Sequence, residues 1–235
     1  MKETHNFLIL LSYFGMEFNG SAYQKDNDNT VENKLLENLY KLELIDNYDT
    51  PLSRVSRTDK GVSARINGIN LRLNIKYENV PIFEIEKKYV KELKKKLKNI
   101  HIHDIKHVSN TFDARLNCIQ RTYVYFFINK NYNIEKMKKA AKLFRIRPPG
   151  YHIADENGLL LYSFKFNDYK YNNHVNNKIF LNVMNKYIQS TMLLVSLCHP
   201  LKLENKNEDF FENLDDEDIK NDVIHNNMIK EINKK

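Results

Sequence analysis

The chain has 235 residues, of which 42% are hydrophobic, and this is enough for one well-buried core or two small ones. Its two cysteines, Cys118 and Cys198, exclude a disulfide framework, and no cysteine–histidine set has the spacing of a zinc finger. The formal net charge is +7. We therefore expect a globular protein of a reducing compartment, either the nucleus or the cytoplasm.

Positive charge is concentrated in the first 203 residues. Residues 204–235 contain ten acidic and five basic side chains, whereas residues 1–203 carry a net charge of +12. A basic body suggests a surface that binds a polyanion, although a compositional bias towards lysine gives the same count. The apolar runs Phe7–Leu11 and Met192–Cys198 are too short to span a membrane, so we predict no membrane association.

The first elements alternate between strand and helix patterns. The apolar run from Phe7 to Tyr13 predicts a buried strand. A helix follows, and Asn29 or Thr30 is placed to cap its N-terminus. The apolar positions of this helix recur at helical spacing: Val31, Leu35, Leu39 and Leu42.

The region from Val55 to Ala64 is polar and rich in charge, which indicates a loop. From Ile69 to Asn74 apolar and polar residues alternate, so we predict a strand with one polar face. A second helix then shows an apolar stripe: Ile85, Tyr89, Leu93 and Leu97. Its other face carries Lys87, Lys88, Lys91, Lys94, Lys95 and Lys98. We interpret that lysine face as solvated rather than as a specific RNA contact.

The second half of the chain predicts two more strands and two helices. Arg121–Ile128 is rich in aromatic and β-branched residues and indicates a strand, and Leu159–Phe166 indicates another. Between them lies a helical stripe from Ile134 to Phe144, which Pro148, Pro149 and Gly150 end. Lys178–Leu197 is predicted to be a helix. This order indicates an α+β domain built on a sheet.

Asp59 is the residue with the clearest chemical potential. It lies between two cations, Arg57 and Lys60, so an ionised carboxylate is expected there. Gly61 permits a tight turn or the close approach of a ligand. Such an aspartate can act as a nucleophile, as a base or as a structural ion-pair partner. On chemistry alone the ion pair is the simplest interpretation.

Four groups of residues together resemble the TruA family of tRNA pseudouridine synthases. Arg57–Ala64 resembles the family's signature, and Lys60 is the variant of its eukaryotic branch. The other groups follow in the family's order across residues 7–166: Tyr13–Gly20 with Gln24 and Thr30–Glu32, then Phe112–Arg115 with Arg121–Tyr125, then Gly158–Leu161 after Pro148 and Pro149. Ordered matches of this extent make chance similarity a poor explanation.

The resemblance implies a pseudouridine-synthase fold, α+β, with a mixed or antiparallel sheet and helices on one face. It implies an isomerase that converts uridine to pseudouridine in its partner, tRNA, with no cofactor and no metal. The aspartate aligned with Asp59 is the family's nucleophile: the glycosidic bond breaks, the uracil turns, and it rejoins through carbon 5. Ser63 favours the anticodon-loop branch and Tyr169–Asn172 the multisite branch, so the target uridines stay open, as does the choice between monomer and homodimer.

The resemblance also assigns binding roles. Tyr123 aligns with a residue that packs on the uracil ring, where an aromatic surface replaces the stacking lost by a flipped base. Arg57 helps to hold the flipped nucleotide, Leu160 lines the uracil pocket, and Arg115 either binds phosphate or braces the site. Core packing for Tyr123 and Leu160, and a simple ion pair for Arg57, remain alternatives. Further backbone contacts are expected from Arg54, Lys60, Arg65 and Arg121.

One departure concerns the family's second half-domain. Only 35 positions separate Tyr123 from Gly158, and no segment resembles the helix whose arginine pairs with the catalytic aspartate. We predict a catalytic core in residues 1–172, truncated between 145 and 157, then a C-terminal helix in 173–203 and an acidic, flexible tail in 204–235.

Three interpretations of this departure are open. The chain is a minimised enzyme in which Arg145 or Arg147 replaces the lost arginine, a degenerate relative that still binds RNA, or a sequence that lacks an internal segment. A protein-interaction module built on the acidic tail is a further alternative to catalysis.

Overall fold

The computed structural model describes residues 3–125, 133–143 and 158–167. In this part six strands form one sheet, accompanied by three α-helices and a short 3-10 helix at Gly15–Glu17. The strands are β1 (Thr4–Tyr13), β2 (Leu52–Arg54), β3 (Ser63–Asn74), β4 (Ile100–His107), β5 (Cys118–Tyr125) and β6 (Leu159–Phe166). The helices are α1 (Val31–Lys41), α2 (Ile82–Lys96) and α3 (Ile134–Leu143).

The sheet is mixed, with the strand order β4-β1-β3-β6-β5 and with β2 paired to β3 beside this path. Its strand pairs are antiparallel except for β3 and β6, which run parallel where Ser63 meets Leu160 and Ala64 meets Leu161. The parallel pair brings the start of β3 against β6, although almost a hundred residues separate them along the chain. The sheet, α1 and α2 lie in one compact unit, and α3 belongs to a second unit.

Helices α1 and α2 cover one face of the sheet with their apolar stripes. Leu35 and Leu39 of α1 and Tyr89 and Leu93 of α2 are fully buried there, in one cluster with apolar residues of β1, β3 and β4. Thr30 caps α1, because its side chain accepts a hydrogen bond from the Asn33 N–H at 3.1 Å. The predicted class, α+β with a mixed sheet, is therefore confirmed.

The opposite face of the sheet has a smaller apolar cluster, which includes Leu8, Leu10, Ile66 and Phe164. Neither α1 nor α2 contributes to it. The Asp59 loop, defined as residues 55–62, contributes Val55 to this cluster. The loop is therefore anchored to the core at its first residue.

Two of the three polar residues of the face predicted for β3 are buried. Asn70 and Asn74 are 5% and 3% exposed, whereas Arg72 is exposed. The Asn70 side-chain amide donates to Asn6 Oδ1 at 2.7 Å, and that of Asn74 donates to Asp46 Oδ1 at 2.9 Å, so hydrogen bonds satisfy these amides inside the protein. Alternation predicted only the second half of the strand, because β3 begins at Ser63, within the region predicted to be a loop.

Two strands, β2 and β4, carry no strong sequence signal and were not predicted. β2 has three residues, and β4 carries the polar residues His101, His103 and Asp104 among its isoleucines. The predicted helix at Lys178–Leu197 and the acidic tail lie outside the described residues. No helix in the described part is long and apolar enough to cross a membrane.

Candidate active site

The Asp59 loop connects β2 to β3 and presents three charged side chains to solvent: Arg57, Asp59 and Lys60. Thr58, between Arg57 and Asp59, is buried, and so is Val62, two residues after Lys60. The Val62 N–H donates to the Asp59 carbonyl at 3.2 Å, and Gly61 has a φ of 83°, which favours glycine. The loop thus makes a tight turn whose tip carries the charges.

Thr58, directly before Asp59, is held at three atoms. Its hydroxyl is 2.8 Å from the Tyr13 hydroxyl and hydrogen-bonded to it. Its N–H donates to Ser21 Oγ at 2.7 Å, and its carbonyl accepts from the Ser21 N–H at 2.9 Å. The segment after β1 therefore fixes the backbone on which Asp59 is carried.

Two glycines of that segment allow it to approach the Asp59 loop closely. A Cβ at Gly15 would lie 2.2 Å from the carbonyl carbon and oxygen of Val62. Gly20 has a φ of 100°, and a Cβ there would lie 3.3 Å from the Thr58 carbonyl oxygen. The motif Tyr13–Gly20 is thus the structural support of the loop.

Asn67 of β3 holds the loop from the other side. Its side-chain amide donates to the Ser56 carbonyl at 2.9 Å, and its Oδ1 accepts from the Ser56 N–H at 3.3 Å. Asn67 is 2% exposed, so these bonds replace those that water would supply. Sequence reasoning missed both Ser21 and Asn67, although each is a polar residue within or beside a recognised motif or strand.

β5 reaches the loop through two side chains. Arg121 Nε donates to the Val55 carbonyl at 2.6 Å, and its Nη2 donates to the Arg115 carbonyl at 3.2 Å. The Tyr123 hydroxyl is 2.6 Å from Ser56 Oγ and hydrogen-bonded to it. Since Tyr123 is 44% exposed, its ring stands at the surface beside the loop instead of packing in the core.

The remaining predicted residues divide by exposure. Leu160 is 2% exposed and lies on β6. It is paired with Ser63, the first residue after the Asp59 loop. Arg115 is exposed. The structure thus brings Asp59, Arg57, Lys60, Tyr123 and Leu160 to one end of the sheet.

Two of the arginines expected to contact RNA are engaged inside the fold. Arg54 Nε lies 2.6 Å from Glu32 Oε1, and Glu32 is 1% exposed. Burial raises the pKa of Glu32, while the Tyr23 N–H, Arg54 and Arg57 oppose this rise. Arg65 is 4% exposed, and its guanidinium lies 4.4 Å from the ring centre of Tyr162. Their charges are therefore not presented at the surface.

The Asp59 carboxylate has no cation within ion-pair distance in the part of the chain that the structure describes. The ion pair suggested by its neighbours Arg57 and Lys60 is thus not formed. Arg145 and Arg147, the candidates to replace the family's pairing arginine, lie outside the described residues. In the described part no group of His, Cys, Asp or Glu side chains is placed to hold a metal.

The hydrogen bond between Ser56 and Tyr123 makes a prediction. Each of the substitutions Ser56→Ala and Tyr123→Phe removes this hydrogen bond. Ser56→Ala keeps the loop backbone, and Tyr123→Phe keeps the aromatic ring. Their effects on the free energy of unfolding should therefore be non-additive, with a coupling free energy of roughly 0.5–1.5 kcal/mol. Ser56→Ala also removes the bond from Ser56 Oγ to the Arg57 carbonyl at 3.1 Å, so the double variant should be about as impaired as Ser56→Ala alone. Additive effects would show that the two hydroxyls act independently.

Comparison with known proteins gives a consistent result. No protein-family model matches the chain. The tRNA pseudouridine(38/39) synthase of Saccharomyces cerevisiae is 38% identical over 156 residues, which cover 61% of this chain and 35% of that protein. The enzyme of the same name from Bos taurus is 35% identical over 151 residues, covering 58% and 31%. The tRNA pseudouridine synthase A 2 of Bacillus cereus is 30% identical over 155 residues, covering 59% of each chain.

The chain is related to the TruA family of tRNA pseudouridine synthases. It spans about a third of the length of the two eukaryotic relatives. The segments around Tyr13–Gly20, Arg57–Ala64 and Gly158–Leu161 meet at one end of the sheet. The described part thus holds the Asp59 loop, the strand that carries Tyr123 and the strand that carries Leu160.

Proposed function

We propose that this chain is a tRNA pseudouridine synthase that isomerises uridine, with Asp59 as its nucleophile. The observation that carries the proposal is the arrangement at the end of the sheet. The loop that carries the exposed Asp59 carboxylate is held from several sides, and its Ser56 hydroxyl is hydrogen-bonded to the hydroxyl of the exposed Tyr123. Rigid support of a reactive group is what nucleophilic catalysis requires.

The reaction balances within one nucleotide. The bond from C1′ of the ribose to N1 of uracil breaks, and a bond from C1′ to C5 forms. C5 loses a proton and N1 gains one, so no oxidant, reductant or cofactor is needed. The Asp59 carboxylate bonds to the nucleotide as the nucleophile while the detached base turns, and this bond breaks before the product leaves, so the carboxylate is regenerated.

The neighbouring side chains supply binding. The Tyr123 ring stacks on the uracil, which has left its helical stack. Leu160 forms an apolar floor beside the start of β3. Arg57 holds the flipped nucleotide, while Lys60 and Arg115 are exposed and contact phosphates.

The names of the eukaryotic relatives indicate which uridines to assay first. Relatives from four eukaryotes, 34–38% identical to the chain, carry the positions 38/39 in their names, whereas the bacterial relatives, 30–34% identical, carry no position. We therefore propose uridines 38 and 39 of tRNA as the first positions to assay.

The test is an assay with unmodified tRNA transcripts that carry uridine at 38, at 39 or at neither position. Pseudouridine is mapped after incubation with the full chain, and a full-length relative serves as the positive control. Product at 38 or 39 in the first two transcripts, and none in the third, is the expected result. Absence of product where the relative is active would overturn the proposal.

A second candidate is a relative that binds tRNA without catalysis. Two observations favour it. The Asp59 carboxylate has no cation within ion-pair distance in the described part. Only 35 positions of the chain separate Tyr123 from Gly158. This short separation in the chain corresponds to the predicted second half-domain, which is truncated between residues 145 and 157. This candidate predicts salt-dependent tRNA binding that Asp59→Ala leaves unchanged, with no pseudouridine formed.

A further inference from the structure

Helix α2 has apolar side chains on one side and lysines on the other. Ile85, Tyr89 and Leu93 are buried against the sheet, and the lysines occupy the outward side. The lysines on the outward side are Lys87, Lys88, Lys91, Lys94, Lys95 and, just past the helix, Lys98, and all are exposed. The fold therefore groups these lysines on one side of α2, which a lysine-rich composition alone does not explain.

The acidic side chains of α2 do not balance these lysines. Glu86 is buried, accepts from the His107 N–H at 2.7 Å, and lies 3.2 Å from Lys106 Nζ. Glu92 accepts a hydrogen bond from the Tyr77 hydroxyl and raises the pKa of Tyr77 to about 12. Within α2, which is described in full, Glu84 is the one exposed acidic residue.

The outward lysines therefore repel one another. Lys91, Lys94, Lys95 and Lys98 have no carboxylate within ion-pair distance in the described part, whereas Lys41 on α1 pairs with Glu37. Like charges three or four residues apart on a helix are unfavourable. Attraction to the negative C-terminal end of the helix accounts for the last turn, which includes Lys94 and Lys95. The ammonium groups of Lys87 and Lys88 lie 5.3 and 4.2 Å from the ring centres of Phe83 and Tyr77. Neither account applies to Lys91.

The positive charge of this face also affects β4, the strand at the edge of the sheet. Burial lowers the pKa of His101 on β4, and Lys94 lowers it further. From Lys87 to Lys95 the helix rises about 12 Å, so the lysines form a row along which several successive negative charges can lie. A row of unpaired cations complements a polyanion of repeating charge.

We infer that the outward lysine face of α2, with Lys98, is a second docking surface for the phosphate backbone of RNA, separate from the Asp59 loop. This inference rests on the proposed function, because it takes the occupant to be the RNA on which that function acts. The contacts are to phosphates, so they add affinity and salt dependence without sequence specificity.

The test compares two variants with equal loss of charge. The first carries Lys91→Gln, Lys94→Gln, Lys95→Gln and Lys98→Gln. The control carries Lys25→Gln, Lys136→Gln, Lys139→Gln and Lys165→Gln, four exposed lysines elsewhere in the described part. Glutamine keeps helix propensity close to that of lysine, and circular dichroism verifies that both variants are folded.

Binding of an unmodified tRNA transcript is measured from 50 to 200 mM salt. In the α2 variant the negative slope of log affinity against log salt should become shallower by about 0.7–0.9 for each lysine that contacts a phosphate. In the control variant the slope should change much less. Product formation at saturating tRNA should equal that of the wild type. Equal slopes for the two variants would overturn the inference.

A parallel arm uses vesicles that contain phosphatidylserine. If the α2 variant loses vesicle binding but keeps the wild-type salt slope for tRNA, the face binds anionic lipid and the inference is wrong. The inference and the proposed function fail separately. Wild-type chain that binds tRNA with the α2-dependent slope but forms no pseudouridine refutes only the function, whereas product formation with equal slopes refutes only the docking surface.

Discussion

Asp59→Ala should abolish pseudouridine formation and leave the protein folded. If Asp59 is the nucleophile, its removal leaves no group to attack the target nucleotide, and the rate should fall by at least about 10³-fold. The free energy of unfolding should change by less than about 0.5 kcal/mol, because the Asp59 side chain is exposed and has no ion pair within the described residues. Product formation in single-turnover assays and denaturation by urea measure the two effects.

The matched control for this prediction is Asp49→Ala, which removes an exposed carboxylate from the connection between α1 and β2. It should leave both activity and stability close to the wild type. Asp59→Asn extends the test, since it keeps the size and polarity of the side chain but not its charge. If either Asp59 variant retains a rate near that of the wild type, another residue is the nucleophile.

Gly15→Ala should strongly destabilise the protein and remove activity with it. The new Cβ would lie 2.2 Å from the carbonyl carbon and oxygen of Val62, which are backbone atoms three residues beyond Asp59. Movement there is opposed by the Gly15 N–H, which donates to Ser63 Oγ at 2.9 Å. Overpacking of this kind costs roughly 1–3 kcal/mol in the free energy of unfolding, and a clash with backbone belongs at the upper end.

Gly68→Ala is the control for the effect at Gly15. Its Cβ would meet side-chain atoms, Val55 Cγ2 at 2.9 Å and Leu8 Cδ1 at 3.2 Å, and these can move by rotating. It should therefore destabilise less, as measured by urea denaturation. Deuterium exchange of residues 58–63 should rise in Gly15→Ala more than in Gly68→Ala. Equal stability of the two variants would show that the Asp59 loop does not depend on the close approach at Gly15.

Much of the local structure was predictable because periodic patterns report which side of an element is buried. The stripes of α1 and α2, the apolar run of β1 and the strand Leu159–Phe166 all formed where predicted. β2 and β4 were missed because three residues are too few for a pattern and because polar residues interrupt the alternation.

The candidate site was predictable in its members and not in its contacts. Asp59, Tyr123 and Leu160 followed from motifs that resemble one family. The bonds of Thr58 to Tyr13 and Ser21, by contrast, join residues about 40 apart in the chain. No pattern within a window of the sequence reports such partners.

The sequence by itself determined the elements with regular apolar patterns, the family resemblance and the aspartate between two cations, because these depend on neighbouring residues. Only the tertiary structure decided how the charges are used. Strand register sets Tyr13 opposite Ala64, and hence beside Thr58, and packing of α1 against the sheet buries Glu32 next to Arg54. Arg54 thereby stabilises the interior, while Asp59, five residues further along the chain, stays exposed at the loop tip. Burial and pairing differ between the two because they depend on which elements meet in space.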